Sequence, residues 1–242
     1  MRYIFLLLTL ILFLGSYLLY SERFPYLNGL FYQKIEQHSK AFKMFEKACK
    51  ENNANSCAEL GSMYESGISI DQDLYSAKEN YKKSCKLNNG KGCYHLAQMY
   101  FNSNDLKENF ESVELYKKSC NLHYGIACNA LGIMEVDTFK KKELFEKARR
   151  HGSKLASANL GQMYEQGKGT SQDLQKAFDL YKEGCDYGDG KGCLKLGDIY
   201  LNGNSLTIKD KSEAIGYYHR ACELRKQEGC DKETKLKNDG IK

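Results

Sequence analysis

The 242-residue chain has one proline, no tryptophan and no run of five or six like charges. A single proline without a Gly-X-Y period excludes collagen-like and proline-rich linker architectures. The lack of a charge run, at a net charge of only +5, points away from a nucleic-acid partner. Charged residues make up an ordinary 28%, so a disordered acidic or basic chain is excluded as well.

Chemical signatures are missing too. No serine has a lysine three residues later, so there is no S-x-x-K nucleophile motif. S-D-N and K-T-G are absent, and Lys168-Gly169-Thr170 has the wrong order. No G-x-x-x-x-G-K-[ST] occurs, and the glycine-rich 188–192 stretch reads as a turn before Cys193, not a phosphate cradle. A metal-dependent hydrolase needs clustered histidines, whereas His38, His95, His123, His151 and His219 are dispersed. No cofactor is implied.

What is present begins with residues 3–20, an uncharged and mostly apolar stretch. As a helix it would span about 27 Å, enough for a bilayer core. Arg2 precedes it, which predicts a cytoplasmic N-terminus and export of the rest. Gly15 and Ser16 are adjacent instead of two apart, so the expectation is an uncleaved anchor. Cleavage near residue 20 would instead give a secreted protein. With no cysteine before Cys49, lipoprotein-type processing is excluded. Residues 21–37 are read as a juxtamembrane linker.

The ten cysteines form five pairs, each eight positions apart: Cys49 and Cys57, Cys85 and Cys93, Cys120 and Cys128, Cys185 and Cys193, Cys222 and Cys230. The first members recur at intervals of 36, 35, 65 and 37. The interval of 65 hides one more unit, because alignment on the following Leu-Gly puts Arg149 and Ser157 in the cysteine columns. A period in this range marks stacked helical hairpins. After each second cysteine come Leu60, Leu96, Leu131, Leu160 and Leu196, each followed by a small residue. Met or Ile and then mostly Tyr follow, so one helical face is apolar. Four positions before each first cysteine stands an aromatic: Phe45, Tyr81, Tyr116, Phe145, Tyr181, Tyr218. Each unit therefore reads as helix A, loop, helix B. Asp71 or Asp73, and Ser171 or Asp173, are candidate N-caps for helix B. The loop near residues 135–139 is shortened.

The repeating x-L-G-x-M-Y, the A-x-x-x-Y and the period near 36 resemble the Sel1-like repeat family, a relative of the tetratricopeptide repeat. The resemblance covers about residues 39–230. The cysteines at the B-to-A junction make the chain similar to the exported, cysteine-rich bacterial branch often labelled Hcp-type or β-lactamase-like. The resemblance implies an all-α, right-handed α/α solenoid of about five hairpins over residues 38–230, with residues 231–242 as a polar cap or tail. It also implies possible β-lactam binding or hydrolysis, for which the residues themselves offer no mechanism.

C-x7-C matches no standard zinc or thioredoxin spacing. Both cysteines are missing together at Arg149 and Ser157, as expected if each pair is bonded internally: Cys49–Cys57, Cys85–Cys93, Cys120–Cys128, Cys185–Cys193 and Cys222–Cys230. Each would close a loop of about nine residues and contribute roughly 2–3 kcal/mol. An oxidising compartment, periplasmic or extracellular, follows.

Two columns on helix A vary between repeats and are mostly polar. Their members Glu59, His95, Asn159 and Lys195, with Ser62, Gln98, Gln162 and Asp198 three residues on, share one face. In this architecture helix A lines the concave side. These residues are the expected contacts for a peptide, a protein or a peptidoglycan-related ligand. His123 and His151 fall near B-to-A turns and read as solvent-exposed.

Overall fold

The computed structural model describes residues 24–103, 105–204 and 207–239. Among them are thirteen α-helices and no strand. In chain order they are α1 (Pro25–Lys34), α2 (His38–Lys50), α3 (Ala54–Ser66), α4 (Leu74–Lys86), α5 (Gly90–Phe101) and α6 (Leu106–Asn121). Then follow α7 (Gly125–Met134), α8 (Thr138–Arg150), α9 (Leu155–Gln166), α10 (Leu174–Asp186), α11 (Gly190–Asn202), α12 (Lys211–Glu223) and α13 (Gln227–Asn238). Odd-numbered helices up to α11 are A helices and even-numbered ones are B helices. The chain forms two compact units, with α1–α6 in the first and α7–α13 in the second.

The expected membrane segment, residues 3–20, lies outside the described residues. Among the described residues, no helix is long and apolar enough to cross a membrane. The linker reading of residues 21–37 needs correction. Proline is favoured in the first helical turn, and Pro25 opens α1. This helix packs on α2 through Gly29, which lies under the Phe45 ring. The B helix α2 is therefore the second half of a complete hairpin.

Helix starts and stops follow local chemistry. Asp73 and Asp173 cap α4 and α10 by accepting from the amides of Ser76 (3.0 Å) and Lys176 (2.9 Å). Asp71 and Ser171 are not used as caps. B helices end in a recurrent turn with a left-handed residue, as at Asn52 and Asn88, after which the next amide bonds five residues back. Asn53 N–H donates to Ala48 O (2.9 Å) and Asn89 N–H to Ser84 O (3.1 Å).

That turn brings the end of each B helix beside the start of the next A helix. Disulfides Cys49–Cys57, Cys85–Cys93, Cys185–Cys193 and Cys222–Cys230 close there, with Cα–Cα separations of 4.7, 4.5, 4.6 and 4.7 Å. Cys120 and Cys128 are each disulfide-bonded too. No described cysteine is free.

In each unit the core is built from B-helix rings, each set against its own A helix. Phe45, Tyr81, Tyr181 and Tyr218 are fully buried. The small residue after each leucine makes room for them. A Cβ on Gly61 would stand 2.7 Å from the Tyr81 ring, and one on Gly132 2.6 Å from Phe145. The shortened hairpin joins α7 to α8 through residues 135–137 alone, with Asp137 capping α8. Residues 227–238 form α13, which buries Leu236 beside Tyr218.

Candidate functional site

Four of the eight expected contact residues lie in the first unit. Glu59 and Ser62 are on α3, His95 and Gln98 on α5. Lys91, one turn before His95, reaches across so that its ammonium is 2.7 Å from Glu59 Oε1. His95 does not project outward. It stacks on Tyr81, with centroids 5.0 Å apart and planes 12° off parallel. Its Nδ1 is 4.0 Å from Glu65 Oε2, the same carboxylate oxygen that accepts from Tyr81 Oη at 2.6 Å. Burial pushes the His95 imidazole below its ordinary pKa, against the opposing pull of Glu65. This surface is largely self-satisfied.

The other four lie in the second unit, Asn159 and Gln162 on α9, Lys195 and Asp198 on α11. Here Lys191 links them. Its ammonium donates to Asn159 Oδ1 and to Gln162 Oε1, both at 2.8 Å. Asn159 Nδ2 in turn donates to Asn129 Oδ1 of α7 at 2.9 Å. The result is a polar ladder across α7, α9 and α11. Lys195 pairs with Glu165 at 3.2 Å, and Asp198 accepts from Lys232 (2.7 Å) and from the Tyr218 hydroxyl (2.8 Å).

Lys91 and Lys191 occupy equivalent Gly-Lys-Gly-Cys positions but have different partners. Lys91 is neutralised by Glu59, whereas Lys191 meets two neutral amides and has no ion pair among the described residues. Burial pulls the Lys191 pKa down, with Lys195 and Lys226 adding to the shift and Asp189 and Glu165 opposing it. With three N–H donors and two used, one donor remains. Sequence reasoning missed Lys91, Lys191 and Asn129. The repeated Gly-Lys-Gly before a cysteine was the available signal, and it read only as a turn.

No group of three or more metal-ligating side chains occurs among the described residues. The β-lactam reading stands on resemblance alone, and the geometry adds nothing to it.

The Sel1 repeat model matches residues 24–53, 54–89, 90–124, 154–189 and 190–225. Between the third and fourth matches, residues 125–153 hold the shortened α7–α8 hairpin. An uncharacterized Haemophilus influenzae protein is 46% identical over 48 residues, 20% of this chain and 77% of that one. The crystal structure of a Sel1 repeat protein from Oxalobacter formigenes superposes with a TM-score of 0.70, at 21% identity and over 82% of each chain. An immunity protein from Pseudomonas aeruginosa superposes with a TM-score of 0.58, at 16% identity, over 77% of this chain and 74% of that one. Those two likenesses show a shared all-α repeat fold. With five repeats matched across most of its length, this chain belongs to the Sel1 repeat family.

Proposed function

We propose that the chain is an extracytoplasmic interaction module that holds an extended polypeptide on the A-helix face of its second unit. The observation that carries this reading is Lys191, a half-buried cation framed by Asn159 and Gln162 without a carboxylate partner. A peptide carboxylate would supply the missing counter-charge, and a charge-assisted hydrogen bond is roughly twice as strong as a neutral one. The Asn129–Asn159 step offers further amide groups to a backbone running alongside.

The test uses the oxidised protein and short extended peptides with free or amidated C-termini. The free carboxylate binds about tenfold tighter, a difference of about 1.4 kcal/mol. Lys191→Gln removes that preference and Lys91→Gln leaves it intact. Equal affinity for both peptide forms would overturn this reading.

We also propose that residues 3–20 anchor the module on the outer face of the cytoplasmic membrane. The disulfides support export, since they persist in oxidising compartments. Leu27 and Phe31 on α1, and Ile35 at its C-terminal cap, are exposed a few residues after that segment, which suits a helix lying against lipid headgroups. Retention of the full chain in carbonate-washed membranes, with protease-accessible repeats on the outer side, is the expected result. Release of the intact chain by carbonate would overturn the anchor.

A further inference from the structure

The A-helix face of the second unit changes character from one helix to the next. Each A helix carries three of its residues on one line at i, i+4 and i+7, which places them on a single face. On α11 these are Lys191, Lys195 and Asp198, all charged. On α9 they are Leu155, Asn159 and Gln162, one aliphatic residue and two amides. On α7 they are Ile126, Ala130 and Ile133, all apolar. The equivalent line on α5 in the first unit, Lys91, His95 and Gln98, is polar throughout, so the repeat architecture does not itself require an apolar line.

Nor does the α7 line belong to the core. Ile133 is 61% exposed, and Ile126 and Ala130 are half-buried. The helix buries a different side, through Ala127, Cys128 and Leu131. The α7 line therefore offers aliphatic surface whose removal from water would be favourable. It lies next to the polar ladder, because Asn129, one turn before Ile133, accepts from Asn159 of α9.

Distances set a register. Lys191 belongs to α11, but its ammonium already lies over α9, bonded to Asn159 and Gln162. The next A helix is α7. Packed neighbouring helices stand about 8–10 Å apart, and an extended chain advances about 3.3 Å per residue. A carboxylate held by Lys191 thus places α7 about three residues further up the bound chain.

Resting on the Lys191 reading above, we infer that Ile126, Ala130 and Ile133 form a subsite for an aliphatic side chain of the bound peptide, about three residues before its C-terminal carboxylate. The peptide runs from α7 toward α11, with its apolar part on the apolar line and its charged end at the lysine. A charged side chain at that position is disfavoured, because the α7 line supplies neither counter-charge nor hydrogen bond to a group it desolvates.

The test is calorimetric titration of the oxidised full chain with eight-residue Gly-Ser peptides. Each has a free C-terminus and a single Leu, moved one position at a time from the last residue toward the N-terminus. The expected result is a maximum about three residues before the end, about tenfold tighter than the Leu-free peptide. Ile133→Gln is the variant, because the chain itself has Gln98 and Gln162 at the equivalent positions. It flattens the scan and leaves the preference for a free over an amidated C-terminus intact. A flat scan in the wild type, or a maximum that survives Ile133→Gln, overturns the subsite alone when the carboxylate preference is still present. Equal binding of free and amidated peptides overturns the Lys191 reading and the register with it.

Discussion

Arg149 grips Glu183 through the Nε–Nη2 edge of its guanidinium: Nε is 3.0 Å from each carboxylate oxygen and Nη2 is 2.8 Å from Oε2. The pair occupies positions that carry a different contact elsewhere. Lys83 Nζ donates to the carbonyl of Cys49 at 2.6 Å, and Lys118 Nζ to that of Cys85 at 2.9 Å. Each is the residue two places before a first cysteine, reaching back one repeat. Where the cysteine column holds arginine, the lysine column of the next repeat holds glutamate. The link between successive B helices is kept while its chemistry is exchanged.

The missing disulfide should be restorable. Ser157 Oγ is buried without a hydrogen-bond partner, so replacing it loses no contact. Arg149→Cys with Ser157→Cys is expected to close a sixth junction of the kind seen at Cys185–Cys193 and to add about 2–3 kcal/mol. A thermal melt with and without reductant checks this, against the offset from unpairing Glu183. Glu183→Lys alone sets two cations side by side at a part-exposed site, with an expected cost of about 0.5–1 kcal/mol.

Non-reducing peptide mapping is expected to recover Cys120 linked to Cys128. Both are bonded, and the C-x7-C spacing is the one that pairs internally at the other four junctions. A mapped bond from either residue to any other cysteine would contradict the pairing.

Glycines in two helices should respond oppositely to substitution. Gly61→Val drives side-chain carbon into the Tyr81 ring and is expected to cost about 1–3 kcal/mol by urea denaturation. Gly216, inside α12, has nothing within 4 Å of an added Cβ. Gly216→Ala is therefore expected to stabilise by about 1 kcal/mol, the helix-propensity difference.

His95 should contribute a pH dependence. Burial holds its folded-state pKa below the ordinary 6.5. Between those two values the unfolded chain binds a proton that the folded chain does not, so stability falls as pH drops below about 6.5. The loss is complete once pH falls below the folded value. His95→Phe keeps a ring on Tyr81 and is expected to flatten the stability curve over that window, as read from denaturation midpoints at stepped pH. An unchanged slope would show that other groups carry the acid sensitivity.

The repeat period, the aromatic and glycine columns, the neighbourhood of the caps at residues 71–73 and 171–173 and the position of the cysteine junctions were legible from the sequence alone. Each is a short-range or strictly periodic property: a helix face repeats every few residues, and a cap or a tight turn is decided within one turn of chain. The helix α1 escaped notice because no cysteine pair or adjacent leucine precedes its Gly29-x-x-Tyr32, although that glycine meets Phe45 as Gly61 meets Tyr81. The expected contact columns were placed on the A helices, but what each residue meets was decided by the tertiary structure. Lys191 with Asn159, Arg149 with Glu183 and His123 with His151 are all contacts between different columns of neighbouring repeats, 32, 34 and 28 residues apart. Reading down one column at a time cannot reveal them, because the partner is set by how one hairpin lies on the next.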